Sequence, residues 1–277
     1  MDRMPQKIEL AEMSWKEFDE WRKQYDDEKR IAILPTGATE EYGPHAAMGA
    51  DHIVAYDMAK RIASRVRGTL VIPTIPFGVS DGYTSLPGTV TIGDDSLKSL
   101  LIDVCNSLLY SGFKKIFVLN THVGNVPIIK DVMWEMKEKT NVLVTGIWFW
   151  NLLDTVCPPS NYSKSKDFPS GHASEIGTSV LLALNEKYVD MARIIPEKAK
   201  KLTESVTGFS TYEAKFGKGG FFIPLGADEL TDFGSLGDAT QASAEEGTKL
   251  LDDFTNYLCD LVGEIGKIKL KPQKSSA

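Results

Sequence analysis

Apolar residues occur along the chain in two kinds of pattern, and their order predicts the order of the secondary-structure elements. Short continuous apolar runs are typical of buried strands and occur at 30–36, 69–77, 114–120 and 141–150. Apolar positions three or four residues apart are typical of helices and occur at 51–66, 97–108, 128–136, 171–184 and 242–263. Ser14 and Glu17 have the spacing of a capping box, which predicts a further surface helix over 14–25.

The alternation of strands and helices favours βαβ units, and hence an α/β fold with a mostly parallel sheet. No internal repeat or break in composition divides the chain, so we expect a single domain over 1–277 that ends in a mobile basic tail from about 267. Residues 151–171 are rich in Pro, Ser and Lys and are predicted to form a loop. Residues 205–240 are rich in Gly and aromatic residues, which suggests a hairpin or a lid.

Composition and charge exclude several classes of function. A net charge of −7 over 277 residues argues against a nucleic-acid partner. Three cysteines without CxxC spacing argue against a disulfide framework or a structural zinc site. The chain has no signal-peptide pattern and no apolar run of the roughly 20 residues that a membrane helix needs, so we expect a cytoplasmic protein. The absence of a Walker A motif and of GxGxxG after a strand argues against nucleotide hydrolysis and NAD chemistry.

Acidic and imidazole side chains collect where predicted strands end and where one helix begins. They are Glu40, His45 and Asp51 after the first strand, His122 after the third strand, and His172 with Glu175 at the start of a helix. Ligands of open α/β sheets bind outside the carboxyl ends of the strands, so these segments are expected to converge. His172 and Glu175 are three residues apart and are expected on one helical face. Carboxylates with imidazoles and no thiolate suit Zn, Mn or Fe.

Each of these residues also has a purely structural interpretation. Asp51 could cap the helix that follows it, and Glu175 could interact with the dipole of its own helix. His122 could be a hydrogen-bonded buried histidine, and Glu40 a solvated loop acid. Because acid and histidine recur together in three glycine-flanked segments, the sequence favours a functional site. Glu41 and His52 are interpreted as residues without a role in it.

The motifs resemble those of the creatininase (creatinine amidohydrolase) family of metal-dependent hydrolases. The segment "PTGATEEYGPHAAMGAD" at 35–51 is similar to the first family motif, and "NTHVGN" at 120–125 is similar to the second. "LPGT" at 86–89 and "HASE" at 172–175 also match, and "GSLGDATQASAEEG" is a weaker match. The resemblance covers roughly residues 31–250 in order.

The resemblance implies a Rossmann-like, three-layer α/β fold with helices on both faces of the sheet, assembled as a homohexamer. It implies a divalent cofactor, Zn or Mn with Fe as a further candidate, and one ion rather than an assured pair. The metal ligands that it implies are Glu40, Asp51, His122 and Glu175. His172 and Glu175 match catalytic positions, and we expect substrate contacts from Tyr42, His45 and Asn125.

Two positions depart from the family pattern. Tyr42 stands where the family has a histidine that helps to hold a second ion, and Gly177 stands where many members have a second Glu. The second site is therefore either lost or rebuilt from Tyr42, His45 or Glu175. We interpret Tyr42 as a wall residue that hydrogen-bonds to the substrate, and we expect a substrate other than creatinine.

The predicted function is hydrolysis of a small polar cyclic substrate, in which metal-bound hydroxide attacks a carbonyl and His172 protonates the leaving atom. The bond cleaved is the C–N bond of a cyclic amide or a C–C bond of a keto-inositol ring. Alternatives are a formamide hydrolase, a peptide-maturation factor and a non-catalytic sugar- or nucleotide-binding module. A flexible, open "GKGGFF" segment would favour a large substrate, and a closed one a small substrate.

Overall fold

A parallel four-stranded sheet forms the centre of this computed structural model, which describes residues 7–166 and 168–270. The part of the predicted basic tail beyond residue 270 lies outside these residues. The strand order is β2-β1-β3-β4, and every neighbouring pair is parallel. The strands are β1 (Ile31–Thr36), β2 (Thr69–Val71), β3 (Lys115–Asn120) and β4 (Leu143–Trp148). β1 and β3 are buried along their whole length, as is typical of strands covered on both faces.

Helices cover both faces of the sheet, which confirms the predicted α/β fold. They are α1 (Trp15–Arg22), α2 (Ala50–Arg65), α3 (Asp94–Tyr110), α4 (Val126–Lys139), α5 (Phe149–Val156), α6 (Glu175–Leu184), α7 (Ala227–Leu230) and α8 (Ala244–Lys267). Alternate residues of β1 point into different cores: Ile31 and Ile33 pack in the core shared with α2, α6 and α8. Ala32 and Leu34 pack in the core shared with α1, α3 and α4. The capping box of Ser14 and Glu17 is present.

The segment at 205–240 contains a second, smaller sheet. Its strands β5 (Val206–Ser210), β6 (Glu213–Phe216) and β7 (Gly219–Phe222) pair antiparallel in that order. This confirms the predicted hairpin and adds a third strand to it. Within the described part of the chain, no helix is both long and apolar enough to cross a membrane.

Two sequence-based predictions of element boundaries are wrong in detail. β2 ends at Val71 instead of 77, because Pro73 and Pro76 have no N–H to donate to a strand ladder. The first part of the predicted loop 151–171 belongs to α5, whose Phe149 and Leu153 are buried at helical spacing. The apolar run through β4 continues into this helix without a break in sequence.

The helix that carries Glu175 begins at Glu175 itself, with Ser174 as its N-cap residue. Ala173 has a φ of 54°, a left-handed conformation that cannot continue a right-handed helix backwards. His172 therefore lies in the preceding turn, and the prediction that it shares a helical face with Glu175 is wrong.

Candidate metal centre and active-site cavity

Glu40 is carried to the centre of the site by the loop that follows β1. The strand ends at Thr36, and the backbone N–H of Glu40 donates to the carbonyl of Met48, which closes the loop on itself. Only 2% of Glu40 is exposed, so it is not the solvated loop acid of the alternative interpretation. The buried carboxylate lies at the carboxyl end of a central strand, where α/β folds bind their ligands.

Asp51 occupies the second position of α2, and its carboxylate is buried. Gly49 is the N-cap residue, and no side chain caps this helix. The alternative interpretation of Asp51 as an N-cap is therefore wrong. The Thr121 hydroxyl donates to the Asp51 carbonyl at 2.9 Å, which ties the start of α2 to the end of β3.

His122 follows β3, and one of its ring nitrogens faces the two carboxylates. Its Nε2 lies 2.7 Å from the carbonyl oxygen of Val79, and because a carbonyl only accepts, Nε2 carries a proton. Its Nδ1 lies 3.3 Å from Oε2 of Glu40 and 3.2 Å from Oδ2 of Asp51. Neutral His122 thus presents the lone pair of Nδ1 to the carboxylates, which is the arrangement of a metal-ligating histidine held by a backbone carbonyl.

These three side chains form one cluster that could hold a metal ion. One ligand atom from each of Glu40, Asp51 and His122 lies within 4.8 Å of the others. Within residues 7–166 and 168–270, these three residues are the one group with this property. Glu40 Oε2 is buried without a hydrogen-bond partner in this part of the chain. Two buried carboxylates and an unprotonated nitrogen need a compensating cation, and this donor set suits Zn or Mn. The residues therefore fit a divalent ion.

The pKa shifts of the three cluster residues also show that the buried carboxylates need a nearby positive charge. Burial raises the pKa of Asp51 above its usual value. Burial also opposes the charge of Glu40, but the neighbouring His122 outweighs it and lowers the pKa of Glu40. For His122, burial disfavours the cation, yet the charge of Glu40 and the hydrogen bond with Asp51 raise its pKa well above 6.5. Without a metal ion, the ring takes up a proton to serve as the cation that the carboxylates require.

His172 lies on the wall of the same cavity and is held on several sides. Its Nε2 lies 2.8 Å from the backbone carbonyl of Glu41 and 3.5 Å from Oε1 of that residue. The ring of Tyr83 stacks on it at 4.5 Å, and the ring of Tyr42 packs at 4.7 Å in a tilted arrangement. Burial disfavours the imidazolium, but the Glu41 carboxylate outweighs this and raises the pKa of His172 to about 9. Glu41 is 6% exposed and contacts His172, although the sequence analysis assigned it no role in the site.

Tyr42 lines the cavity beside the cluster, as the sequence predicted for a wall residue. Burial and the nearby carboxylates raise the pKa of its phenol above 10, so the phenol stays neutral. A methyl group placed at Gly177 would lie 2.3 Å from the Tyr42 hydroxyl oxygen. The phenol thus occupies the space that any larger residue at 177 would need.

Two other predicted site residues, His45 and Asn125, do not line the cavity. His45 is buried against α6, with Nε2 at 3.0 Å from the Thr178 hydroxyl. Burial lowers the pKa of His45 to about 4. The Asn125 amide donates to the carbonyl of Gly37 and accepts from the N–H of Val79, which leaves it engaged with the protein. These contacts give His45 a structural role against α6 and Asn125 a structural role near the end of β3.

Glu175 also lies outside the metal cluster. Its carboxylate accepts hydrogen bonds from the Ser163 hydroxyl at 2.6 Å and from the backbone N–H groups of Lys164 and Ser165. The side chain is 1% exposed. In this position Glu175 anchors the turn at 163–165, and its oxygens are satisfied without a metal ion.

The cavity above the cluster has a volume of about 430 Å³, and several aromatic side chains line it. Wall residues that the sequence did not single out include Tyr83, Trp148, Trp150, Asp154, Phe168, Phe209 and Lys215. Trp148 ends β4, so its position at a strand end was the one available sequence signal for this wall. Phe209 and Lys215 come from β5 and β6, which places the small sheet over the site.

Three curated relatives align with most of the chain. Creatinine amidohydrolase of Pseudomonas putida is 24% identical over 94% of this chain and 98% of its own length. Mycofactocin precursor peptide peptidase of Mycobacterium ulcerans is 26% identical over 85% and 84%. 3-Dehydro-scyllo-inosose hydrolase of Thermotoga maritima is 26% identical over 94% and 84%. Similar sequence identity to proteins with three different substrates leaves the substrate of this chain undetermined.

Solved structures share the fold along nearly the whole chain. A putative creatinine amidohydrolase from Bacteroides fragilis is 24% identical, covers 97% of this chain and all of its own, and gives a TM-score of 0.74. A structure described as "Creatininase Mn" is 24% identical with a TM-score of 0.75 and covers 93% of this chain and 98% of its own. A mutant creatininase of "Zn-Zn type" is 23% identical, with the same coverage and a TM-score of 0.73.

The sequence profile of the family described as "Creatininase: Creatinine amidohydrolase" matches residues 11–262. This match spans the central sheet, the three residues of the candidate metal centre and His172. The fold, the buried cluster and the profile agree, and the chain belongs to the creatininase family of hydrolases.

Proposed function

We propose that this chain is a metal-dependent hydrolase of a small polar cyclic carbonyl compound. The bond cleaved is the C–N bond of a cyclic amide or a C–C bond beside a ketone in a polyol ring. The observation that carries the proposal is the buried cluster of Glu40, Asp51 and His122 on a cavity whose wall also holds His172. The cavity volume of about 430 Å³ suits a small ring better than a folded peptide.

The cofactor that we propose is a single zinc or manganese ion. Glu40, Asp51 and His122 would hold it, and it would supply Lewis acidity that lowers the pKa of water and polarises a carbonyl. Manganese and zinc forms of related creatininases support this choice. The neutral phenol of Tyr42 fills the space beside Gly177, which supports one ion rather than two.

The protein's own residues would divide the remaining work. The raised pKa of His172 favours its protonated form at neutral pH, and His172 would give its proton to the leaving nitrogen or carbon as the bond breaks. Tyr42 would orient the ring through its phenol, and Trp148 and Trp150 would exclude water from the cavity. Hydrolysis adds the elements of water across one bond, so no oxidant or reductant is required.

A panel of substrates tests this proposal. Creatinine, 3-dehydro-scyllo-inosose, simple formamides and a C-terminal peptide amide are offered to the protein loaded with Zn or Mn, and products are followed by mass spectrometry. We expect turnover of a cyclic compound, and a loss of about 10²- to 10⁴-fold in kcat for His172→Gln. Turnover of the peptide alone would favour the peptide-maturation alternative. Full activity of His172→Gln would contradict the assignment of His172.

We also propose that the protein forms the homohexamer implied by its family resemblance. The small sheet supports an interface, because Phe216 is exposed at the end of its middle strand β6 and Phe221 and Phe222 are exposed on its edge strand β7, with Phe222 88% accessible. Light scattering coupled to size exclusion measures the assembly directly. A hexamer that dissociates in Phe222→Ser supports the proposal, and a monomer at micromolar concentration contradicts it.

A further inference from the structure

We propose that Glu41 is the positioning residue of His172, so that His172 exchanges protons with the substrate through Nδ1. This inference rests on the proposed function, in which His172 is the proton donor. Glu41 lies between the proposed metal ligand Glu40 and the wall residue Tyr42, and its contacts with His172 support the inference.

The backbone carbonyl of Glu41 fixes which ring nitrogen bears the proton. Nε2 of His172 lies 2.8 Å from that carbonyl oxygen, which can only accept a hydrogen bond. Neutral His172 is therefore the Nε2–H tautomer, with its lone pair on Nδ1. Nδ1 makes no hydrogen bond to any residue in 7–166 or 168–270, while the side chain lines the cavity. It is thus the nitrogen free to exchange a proton with a bound molecule.

The side chain of Glu41 adds a charge on the same edge of the ring. Its Oε1 lies 3.5 Å from Nε2 of His172 and has no other partner in the described part of the chain. Its Oε2 accepts the backbone N–H of Gly43 at 3.0 Å. One carboxylate oxygen is therefore tied to the loop, and the other is left to balance the charge of the imidazolium.

Neighbouring segments keep this carboxylate in place. A methyl group at Gly234 would lie 2.1 Å from Glu41 Oε2, and the φ of Gly234 is +84°, so glycine alone leaves the room. The Thr89 hydroxyl accepts the backbone N–H of Glu41 and donates to the carbonyl of Tyr83, each at 3.0 Å. Tyr83 in turn stacks on His172. The "LPGT" and "DFGSLGD" segments thus hold one arrangement of Glu41 and His172.

Glu41 acts on His172 independently of the metal ligands. Glu40 also favours the His172 cation, but a divalent ion bound by Glu40 would offset that share. Among the described residues, the cluster that could hold a metal ion does not include Glu41, so its carboxylate remains available to His172. A change at Glu41 should therefore alter His172 and leave metal binding intact.

The test follows the four histidines by ¹⁵N NMR in the metal-loaded protein, with His172→Gln to assign the resonance. Glu41→Gln keeps the shape and removes the charge, Glu41→Asp keeps the charge, and the exposed Glu204→Gln is the matched control. We expect the titration midpoint of His172 to fall by about one pH unit or more in Glu41→Gln, to recover partly in Glu41→Asp, and to stay unchanged in Glu204→Gln. Metal content should be equal in all variants.

With a substrate that the wild type hydrolyses, Glu41→Gln should lower kcat and leave KM unchanged. One limb of the pH profile of kcat should shift by the same amount as the His172 titration midpoint measured by NMR. An unchanged His172 midpoint, or a neutral ring protonated on Nδ1, would overturn the inference. Loss of metal from Glu41→Gln would also overturn it, because Glu41 would then act through the cluster. If the wild type binds no metal, the proposed function fails, but the His172 titration still decides the role of Glu41.

Discussion

Nδ1 of His122 lies 3.2 Å from Oδ2 of Asp51, and this contact joins the end of β3 to the first turn of α2. The carbonyl of Val79 holds the opposite side of the imidazole. The Asp51 carboxylate faces the imidazole and does not cap the N–H groups of its own helix, whose N-cap residue is Gly49. The contact between His122 and Asp51 makes the strand ends, rather than any single loop, the framework of the site.

The contact between Tyr42 and Gly177 predicts a stability effect that depends on both residues. Gly177→Ala places a methyl group 2.3 Å from the Tyr42 hydroxyl oxygen and should lower the free energy of unfolding by about 1–3 kcal/mol. When Gly177→Ala is made in the Tyr42→Phe variant, this loss of unfolding free energy should be smaller, because the clashing hydroxyl oxygen is absent. Urea denaturation of the four proteins of this double-mutant cycle measures the coupling.

Gly263→Ala is the matched control for this cycle. Gly263 lies in α8, and a methyl group there meets nothing within 4 Å. It should stabilise the protein by up to about 1 kcal/mol through helix propensity, with or without Tyr42→Phe. Equal costs of Gly177→Ala in both backgrounds would show that the phenol does not set the size of residue 177.

Glu175→Gln separates the anchoring role of this residue from the predicted role as a ligand. The change weakens the hydrogen bonds that hold the turn at 163–165, so unfolding should become easier by about 1–3 kcal/mol. The bound metal per chain should stay the same, since the carboxylate does not reach the cluster. A large loss of metal at unchanged stability would restore Glu175 as a ligand.

The strand ends made part of the site predictable from sequence. Glu40 and His122 follow strands of a parallel sheet, so their convergence follows from topology alone. Asp51 could be placed near them because its helix begins directly after the first motif. The directions of Glu41 and Glu175 could not be predicted, because irregular backbone such as the turn at Ala173 sets them through tertiary contacts.

The walls of the cavity were hidden from sequence for a different reason. α5 follows β4 within one continuous apolar run, so neither the strand pattern nor the helix pattern marked where β4 ends and α5 begins. This boundary places Trp150 beside Asp51. Lys215 lies on β6, where polar and apolar residues alternate as in many strands. Its position over the Phe209 ring depends on how the small sheet packs on the rest of the protein. Both required the assembled fold.

His45 predicts a pH dependence of stability. Burial holds its pKa in the folded protein at about 4, against 6.5 for an unperturbed histidine. As the pH falls below 6.5, the unfolded chain takes up a proton that the folded protein does not, so the folded state loses stability until about pH 4. The free energy of unfolding should therefore rise with pH across this window, as urea titrations at successive pH values measure.

His45→Gln keeps a partner for Thr178 but removes the titration. The difference in unfolding free energy between this variant and the wild type should change with pH between about 4 and 6.5. A difference that is constant across this window would contradict a buried neutral imidazole at position 45.

The proposed site of Glu40, Asp51 and His122 holds one divalent ion, and the metal content of the purified protein tests this. Wild type and Asp51→Asn are purified without chelator, loaded with Zn or Mn, desalted and analysed by inductively coupled plasma mass spectrometry, with Asp154→Asn as a control from the same cavity. We expect one ion per chain in the wild type and the control, and its loss in Asp51→Asn. A wild type that retains no ion, or an Asp51→Asn variant that retains as much as the wild type, would contradict the account.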